Sequence, residues 1–203
     1  MSYRTPLARA LFSLTVLACA TAHAADDKPV RIRGEIVAAT ADGLTVKHVS
    51  GEQVKIAAPP DTAVSSVKNV PLSSIKSGDY VGAASRKGPD GKQTAIEVLV
   101  FPEAARGSGE GHYGWDLAPD SSMTNANVDA VVSGTNGRDL KLSYKGGTQT
   151  IVVPTNAPVV TFAPATRADV LPGKKVFVVA KPTGDGYLAQ RIVVEKDGVA
   201  PPM

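Results

Sequence analysis

The chain has 203 residues, a formal net charge of +3, three histidines, one cysteine and one tryptophan. Arg4 and Arg9 lie in residues 1–24, which hold no acidic side chain, so beyond that segment 20 basic residues face 19 acidic ones and the balance falls to +1. Near-neutrality leaves no electrostatic footprint for nucleic acid or anionic lipid, and a single cysteine excludes a disulfide framework.

Residues 1–24 read as a signal peptide. Arg4 and Arg9 give a positive start, Ala10 to Ala20 an apolar stretch, and Ala22-His23-Ala24 a small-x-small cleavage site, which places the mature start near Ala25 and the protein in the periplasm. Val16-Leu17-Ala18-Cys19 loosely resembles a lipobox, and the alternative it raises is a lipid anchor on Cys19. The apolar stretch is shorter than the roughly 20 residues a spanning helix needs and no such run follows Ala25, so no transmembrane segment is expected. Cleavage after Ala24 also removes Cys19, and with it any thiolate nucleophile.

From Val30 the pattern is that of strands. Val30 to Ile36 alternates apolar and charged residues, Asp42-Gly43 turns into Leu44 to His48, and Ser50-Gly51 turns into Gln53 to Ile56. The alternation fades after Pro59-Pro60 and resumes at Gly78-Asp79 with Tyr80 to Ala84; a Gly-Pro-Asp-Gly turn at 88–91 leads into Ala95 to Phe101. The same order then returns: Val128 to Val132, Leu140 to Tyr144, Thr150 to Val153, Gly173-Lys174 ahead of Val176 to Val179, and Leu188 to Val194. Gly78 and Gly173 mark the repeat, 95 residues apart, with Ile75 and Val170 ahead of them at the same offset. The expected fold is all-β: two tandem small five-stranded OB-like barrels, residues 25–103 and 127–203, joined by a Gly-rich aromatic linker at 104–126. SH3-like barrels or one larger sandwich are the alternatives. The connections 63–77 and 160–172 have room for a short helical turn without showing helical periodicity.

Gly34-Glu35-Ile36 with Leu44-Thr45-Val46, then Gly78-Asp79-x-Val81 and Ala95-Ile96-x-Val98, resembles the bacterial exported domains grouped as DUF5666, small OB-like barrels of unknown function. The resemblance spans both repeats and implies fold rather than chemistry, since its positions are turn and core residues. Lys174 replaces the aspartate of the first copy, so a role for Asp79 would exist once. The segment Gly109 to Asp116, with Met123-Thr124-Asn125, is similar to uncharacterised proteobacterial proteins labelled as metal-transporter components; a permease role does not fit a chain without a spanning segment.

The linker concentrates unusual residues. Glu110, His112, Tyr113, Trp115 and Asp116 stand within a few positions, where a plain spacer would carry Gly, Ser, Pro and charge. One reading has Tyr113 and Trp115 covering a barrel end or the seam between barrels, with His112 hydrogen-bonded beside them and Glu110, Tyr113, Trp115 and Asn125 as an interaction surface for a small ligand or an envelope protein. The other is a divalent-metal site, with copper suited to the His112 imidazole, a carboxylate from Asp116 or Glu110 and the Met123 thioether. No paired His or Cys spacing supports zinc, and His48 reads as a barrel-edge residue. Ser121, His112 and Asp116 form a nominal triad without a nucleophile elbow, so no enzyme is expected. Strand aromatics are too sparse for an oligonucleotide platform. The expected function is an exported, periplasmic, non-enzymatic binding or envelope-associated protein without a cofactor, with metal binding as the alternative.

Overall fold

The computed structural model describes residues 28–88, 90–134, 137–184 and 186–202. The expected signal segment and Cys19 lie outside the described residues. In chain order the strands are β1 Val30–Ala39, β2 Gly43–His48, β3 Gln53–Ala57, β4 Ala63–Asn69, β5 Tyr80–Lys87, β6 Gln93–Val100, β7 Gly111–Trp115, β8 Ser121–Gly134, β9 Gly137–Tyr144, β10 Gly147–Pro154, β11 Val159–Pro164, β12 Lys175–Thr183 and β13 Gly186–Val194. Helical backbone among the described residues is confined to single 3-10 turns at Leu72–Ser74, Glu103–Ala105 and Arg167–Asp169. No helix among them is long and apolar enough to cross a membrane.

The all-β expectation holds, and so does closure of five strands into a barrel. The strands that close, however, come from both repeats. In the first ring β1, β2 and β3 form a meander, the β12–β13 hairpin pairs with β1, and β3 meets β13 in parallel to shut the circuit. In the second ring β8, β9 and β10 form the meander, the β5–β6 hairpin pairs with β8, and β10 meets β6. The rings therefore do not follow the expected division into 25–103 and 127–203. Alternation and turn chemistry look the same whether a hairpin returns to its own meander or crosses to its neighbour's. The connection decides, and it is a strand: β4 runs beside β13, β11 beside β6, and the two pair antiparallel between the rings.

The duplicated glycines sit where the chain crosses. Gly78 (φ +91°) and Gly173 (φ +83°) occupy the left-handed region that favours glycine. The Gly78 N–H donates to the Val128 carbonyl and the Gly173 N–H to the Ile36 carbonyl, each across to the other repeat. Each crossing also delivers its apolar plug, Ile75 into the second ring's core and Val170 into the first's.

The segment expected to be a linker without β structure is also strand. β7 pairs with β8, and β8 pairs with β5 from Ser121 to Asn127, so one sheet runs through Trp115. Gly111, Gly114 and Asn125 have weak intrinsic strand preference. The β5 ladder supplies the pairing that the local sequence does not advertise.

Each ring holds its own core, centred on Ile36, Val46, Val178 and Ile192 in the first and on Val81, Leu140, Leu142 and Ile151 in the second. A third cluster, Val67, Leu99, Val160, Phe177 and Val193, lies between them. The rings are thus joined by a shared apolar seam rather than by a tether.

Candidate functional site

Strand register determines what faces the seam. Arg31 and Arg191 both stand opposite Val179, so two cations share one row across β1, β12 and β13; the next row is Arg33, Phe177 and Val193. The second ring presents Glu97, Ala84, Met123 and Tyr113 in one row across β6, β5, β8 and β7, and Leu99, Gly82 and Asn125 in the next. Between the two faces lies a cleft of about 280 Å³. Phe101, Tyr113, Trp115 and Phe177 wall it, and Arg31 and Arg191 line it from the first ring.

Trp115 is the hinge of this geometry. The Arg31 guanidinium sits 4.1 Å from its ring centroid, and Arg33 lies 5.3 Å from it and 5.0 Å from the Phe177 ring. Cations over aromatic faces gain about 0.5–2 kcal/mol, more when desolvated. Tyr113 meets the Trp115 ring edge-on at 6.1 Å, and Asp116 reaches across to Arg33 at 2.9 Å. The β7–β8 turn is held by Ser121 Oγ, 2.8 Å from the Trp115 carbonyl and 2.7 Å from the Ala118 carbonyl, which can donate to one at a time.

Asn125 organises the other side. Its Nδ2 lies 3.2 Å from the Ser108 carbonyl, 3.1 Å from the Gly109 carbonyl and 3.1 Å from the Tyr113 hydroxyl. Those acceptors orient the amide, leaving Oδ1 over Gly82, where an added Cβ would come within 2.6 Å of it. Asn125 Oδ1 is buried with no hydrogen-bond partner, as are Trp115 Nε1 and the Nε and Nη2 of Arg33. An unsatisfied buried polar atom costs about 1–3 kcal/mol, so the orphans on Asn125 and Trp115, two side chains that line the cleft, call for a physical reason there.

Electrostatics divide the cleft. Glu97, 2% exposed, has its pKa raised to about 7 by desolvation, with the Arg33 charge pulling the other way. Arg191 lies 5.5 Å over the Phe162 ring, and its partial desolvation there lowers its pKa although much of the side chain is exposed. Among the described residues neither Arg31 nor Arg191 forms an ion pair. Burial likewise raises the Tyr113 phenol, which stays a neutral donor.

Of the residues singled out from sequence, Tyr113, Trp115, Met123 and Asn125 line the cleft. Glu110 lies apart from it and accepts a bond from the Lys145 N–H at 2.8 Å. His112, Asp116 and Met123 do not converge. His112 pairs with Thr124 and Met123 with Tyr113, adjacent register positions that send the two side chains to opposite faces of the sheet. His112 Nδ1 is 2.8 Å from Thr124 Oγ1 and its ring stacks on Tyr144, while Asp116 is committed to Arg33. No group of three or more His, Cys, Asp or Glu side chains among the described residues is placed to hold a metal ion. Ser121 serves the turn and is not within reach of His112 in any hydrogen bond. His48 bonds Ser50 at the end of β2.

Sequence reasoning missed Glu97, Gly82, Arg31 and Arg191. One signal was available: the last strand of each repeat carries a charge inside an apolar run, Glu97 between Ile96 and Val98 and Arg191 before Ile192. A charge at that position of a β pattern needs a reason. Comparison with protein-family models, curated proteins and solved structures finds no match to this chain.

Proposed function

We propose that the chain is an exported, periplasmic, non-enzymatic binding protein, built on two OB-like barrels and preceded by a signal peptide at 1–24, whose ligand seats in the cleft between the rings. The observation carrying this reading is the gathering of unpaired polar atoms, Asn125 Oδ1 and Trp115 Nε1, on side chains that line an aromatic-walled cavity. A second concavity over the β2–β3 edge, lined by Leu44, Ile56 and Tyr187, has no such atom among its lining residues. Among the described residues that line the cleft there is no His, Cys, Asp or Glu to pair with the Ser108 hydroxyl as nucleophile and base. The resemblance to DUF5666 domains agrees with a barrel scaffold and adds no chemistry.

A mixed-charge fragment set followed by ligand-observed NMR tests the site, with Val179→Phe as the control because Val179 lines the cleft and is only partly buried. Hits on the wild-type protein that disappear in the filled variant support the proposal. Hits that persist unchanged, or none at all, remove it.

A further inference from the structure

Resting on that reading of the cleft, we infer that its ligand is a small aromatic carboxylate bearing a hydrogen-bond donor. Charge is the first reason. Arg31 and Arg191 flank Val179 in one row, about 10 Å apart by strand spacing, and their long side chains can close on one anion. Neither has a carboxylate partner among the described residues, whereas Arg33 behind them is engaged by Asp116. The free positive charge of the cleft therefore stands on the first ring's wall.

Shape is the second reason. Phe101, Tyr113, Trp115 and Phe177 offer ring faces and edges around a cavity of about 280 Å³, enough for one planar ring with its substituents and small beside the usual range for drug-sized ligands. Gly82 lets Asn125 Oδ1 and the Phe101 ring close in on β5, since a Cβ there would come within 2.6 Å of the oxygen and 3.1 Å of the ring.

The third reason is the polarity of the orphans. Asn125 is 8% exposed and its unpaired Oδ1 can only accept, so a ligand group that reaches it is an N–H or O–H donor. Trp115 Nε1 can only donate, so a ligand group that reaches it is an acceptor oxygen. A phenol-bearing carboxylate satisfies acceptor, donor and guanidinium together.

The probe is 4-hydroxyphenylacetate, titrated by calorimetry into the whole mature protein, with 4-hydroxyphenylacetamide and phenylacetate as comparators and inorganic phosphate as the anion without a ring. The carboxylate should bind more tightly than the neutral amide by roughly tenfold or more, the difference expected of one charge-assisted contact. It should also weaken in Arg191→Met and separately in Arg31→Met, two positions whose side chains are not part of either ring's core. Phenylacetate should bind less well than the phenol, and rising salt should weaken the carboxylate alone. Equal binding of acid and amide overturns the inference, as does an unchanged Kd in both arginine variants, or phosphate binding as tightly as the probe. If neutral or cationic fragments seat in the cleft and are expelled by Val179→Phe while the acids do not bind, the ligand class is wrong and the site stands. If no compound of any charge seats there, the site itself falls.

Discussion

Val67 faces Phe162 across the antiparallel β4–β11 pair, and the register around them is unchanged by a shift of 95 residues: Ser65 opposite Pro164 becomes Val160 opposite Asn69. The two repeats are thus related by a local two-fold axis through this contact. Strand exchange between neighbours and a shared seam of Val67, Leu99, Val160, Phe177 and Val193 follow from that symmetry. The symmetry is of backbone, not of side chains. Glu97 and Arg191 hold corresponding places, opposite Ala84 on β5 and Val179 on β12, so one side of the seam is a buried acid and the other a cation over the Phe162 ring.

Exchange makes neither repeat a self-sufficient unit. Residues 28–103 contain three strands of one ring and two of the other, and on their own they leave open sheet edges that invite pairing. Expressed separately, 28–103 and 104–202 should fail to give folded monomers, associating with themselves or precipitating; expressed together they should form an equimolar complex with the intact protein's circular dichroism. Size-exclusion chromatography with light scattering reads the outcome. A folded monomer of either half would show that the hairpins can return to their own meanders.

The ten strands that carry alternation and turn glycines were legible in the sequence, because pleat periodicity and positive-φ turns are properties of a few adjacent residues. Partner choice was not. Whether β5 and β6 close on β1 or on β8 depends on the path of 63–77, where Val64 and Val67 alone hint at a strand and the pairing partner lies some 95 residues away. β7 was hidden for a related reason: Gly111 and Gly114 interrupt the pattern, and the strand exists through its ladder to β8. The aromatic cluster did point to the site through Tyr113 and Trp115. The cations that complete it lie far off in sequence and read locally as the wet face of a strand.

Glu97 should make the protein less stable as pH rises through neutrality. Its folded pKa, about 7, lies above the ordinary 4.5 because burial disfavours the carboxylate, so the folded state holds a proton that the unfolded chain releases between those values. Stability from this group is fully present below about 4.5 and is lost as pH passes 7, a swing on the order of 3 kcal/mol at about 1.4 kcal/mol per pH unit. Glu97→Gln keeps the shape without the charge. Urea unfolding should show the variant more stable than the parent at pH 8 and near it at pH 4.5; parallel curves across that range would refute the assignment.

Gly78 and Gly173 provide a test of the crossing points. An added Cβ meets nothing within 4 Å at either position, so alanine there costs only the left-handed backbone, about 1–2 kcal/mol each. Gly34 is a different case, because its Cβ would fall onto the Lys47 carbonyl of the paired strand. Gly34→Ala should therefore cost more than either crossing-point substitution, and its loss should come with disturbed β1–β2 amide exchange. Equal destabilisation at all three positions would contradict the distinction between strain and collision.

Asn125 holds the 108–113 segment against the second ring, and its removal should be felt there before it is felt in the core. Asn125→Leu keeps approximate volume and leaves the Ser108 and Gly109 carbonyls without the Nδ2 donor that now lies 3.2 and 3.1 Å away. The Tyr113 hydroxyl keeps its own bond to the Gly109 carbonyl at 3.2 Å, and Tyr80 still donates to the Ser108 carbonyl at 3.2 Å, so the loop is loosened rather than freed. Hydrogen exchange of amides 108–113 should quicken roughly tenfold or more, matching the loss of about 1–3 kcal/mol expected when a buried donor is deleted. Exchange in β2 and β3 should be unchanged, since their meander belongs to the first ring. Uniform acceleration across the whole protein would mean that Asn125 supports the fold at large, and slow exchange retained at 108–113 would mean that the tyrosines alone pin the loop.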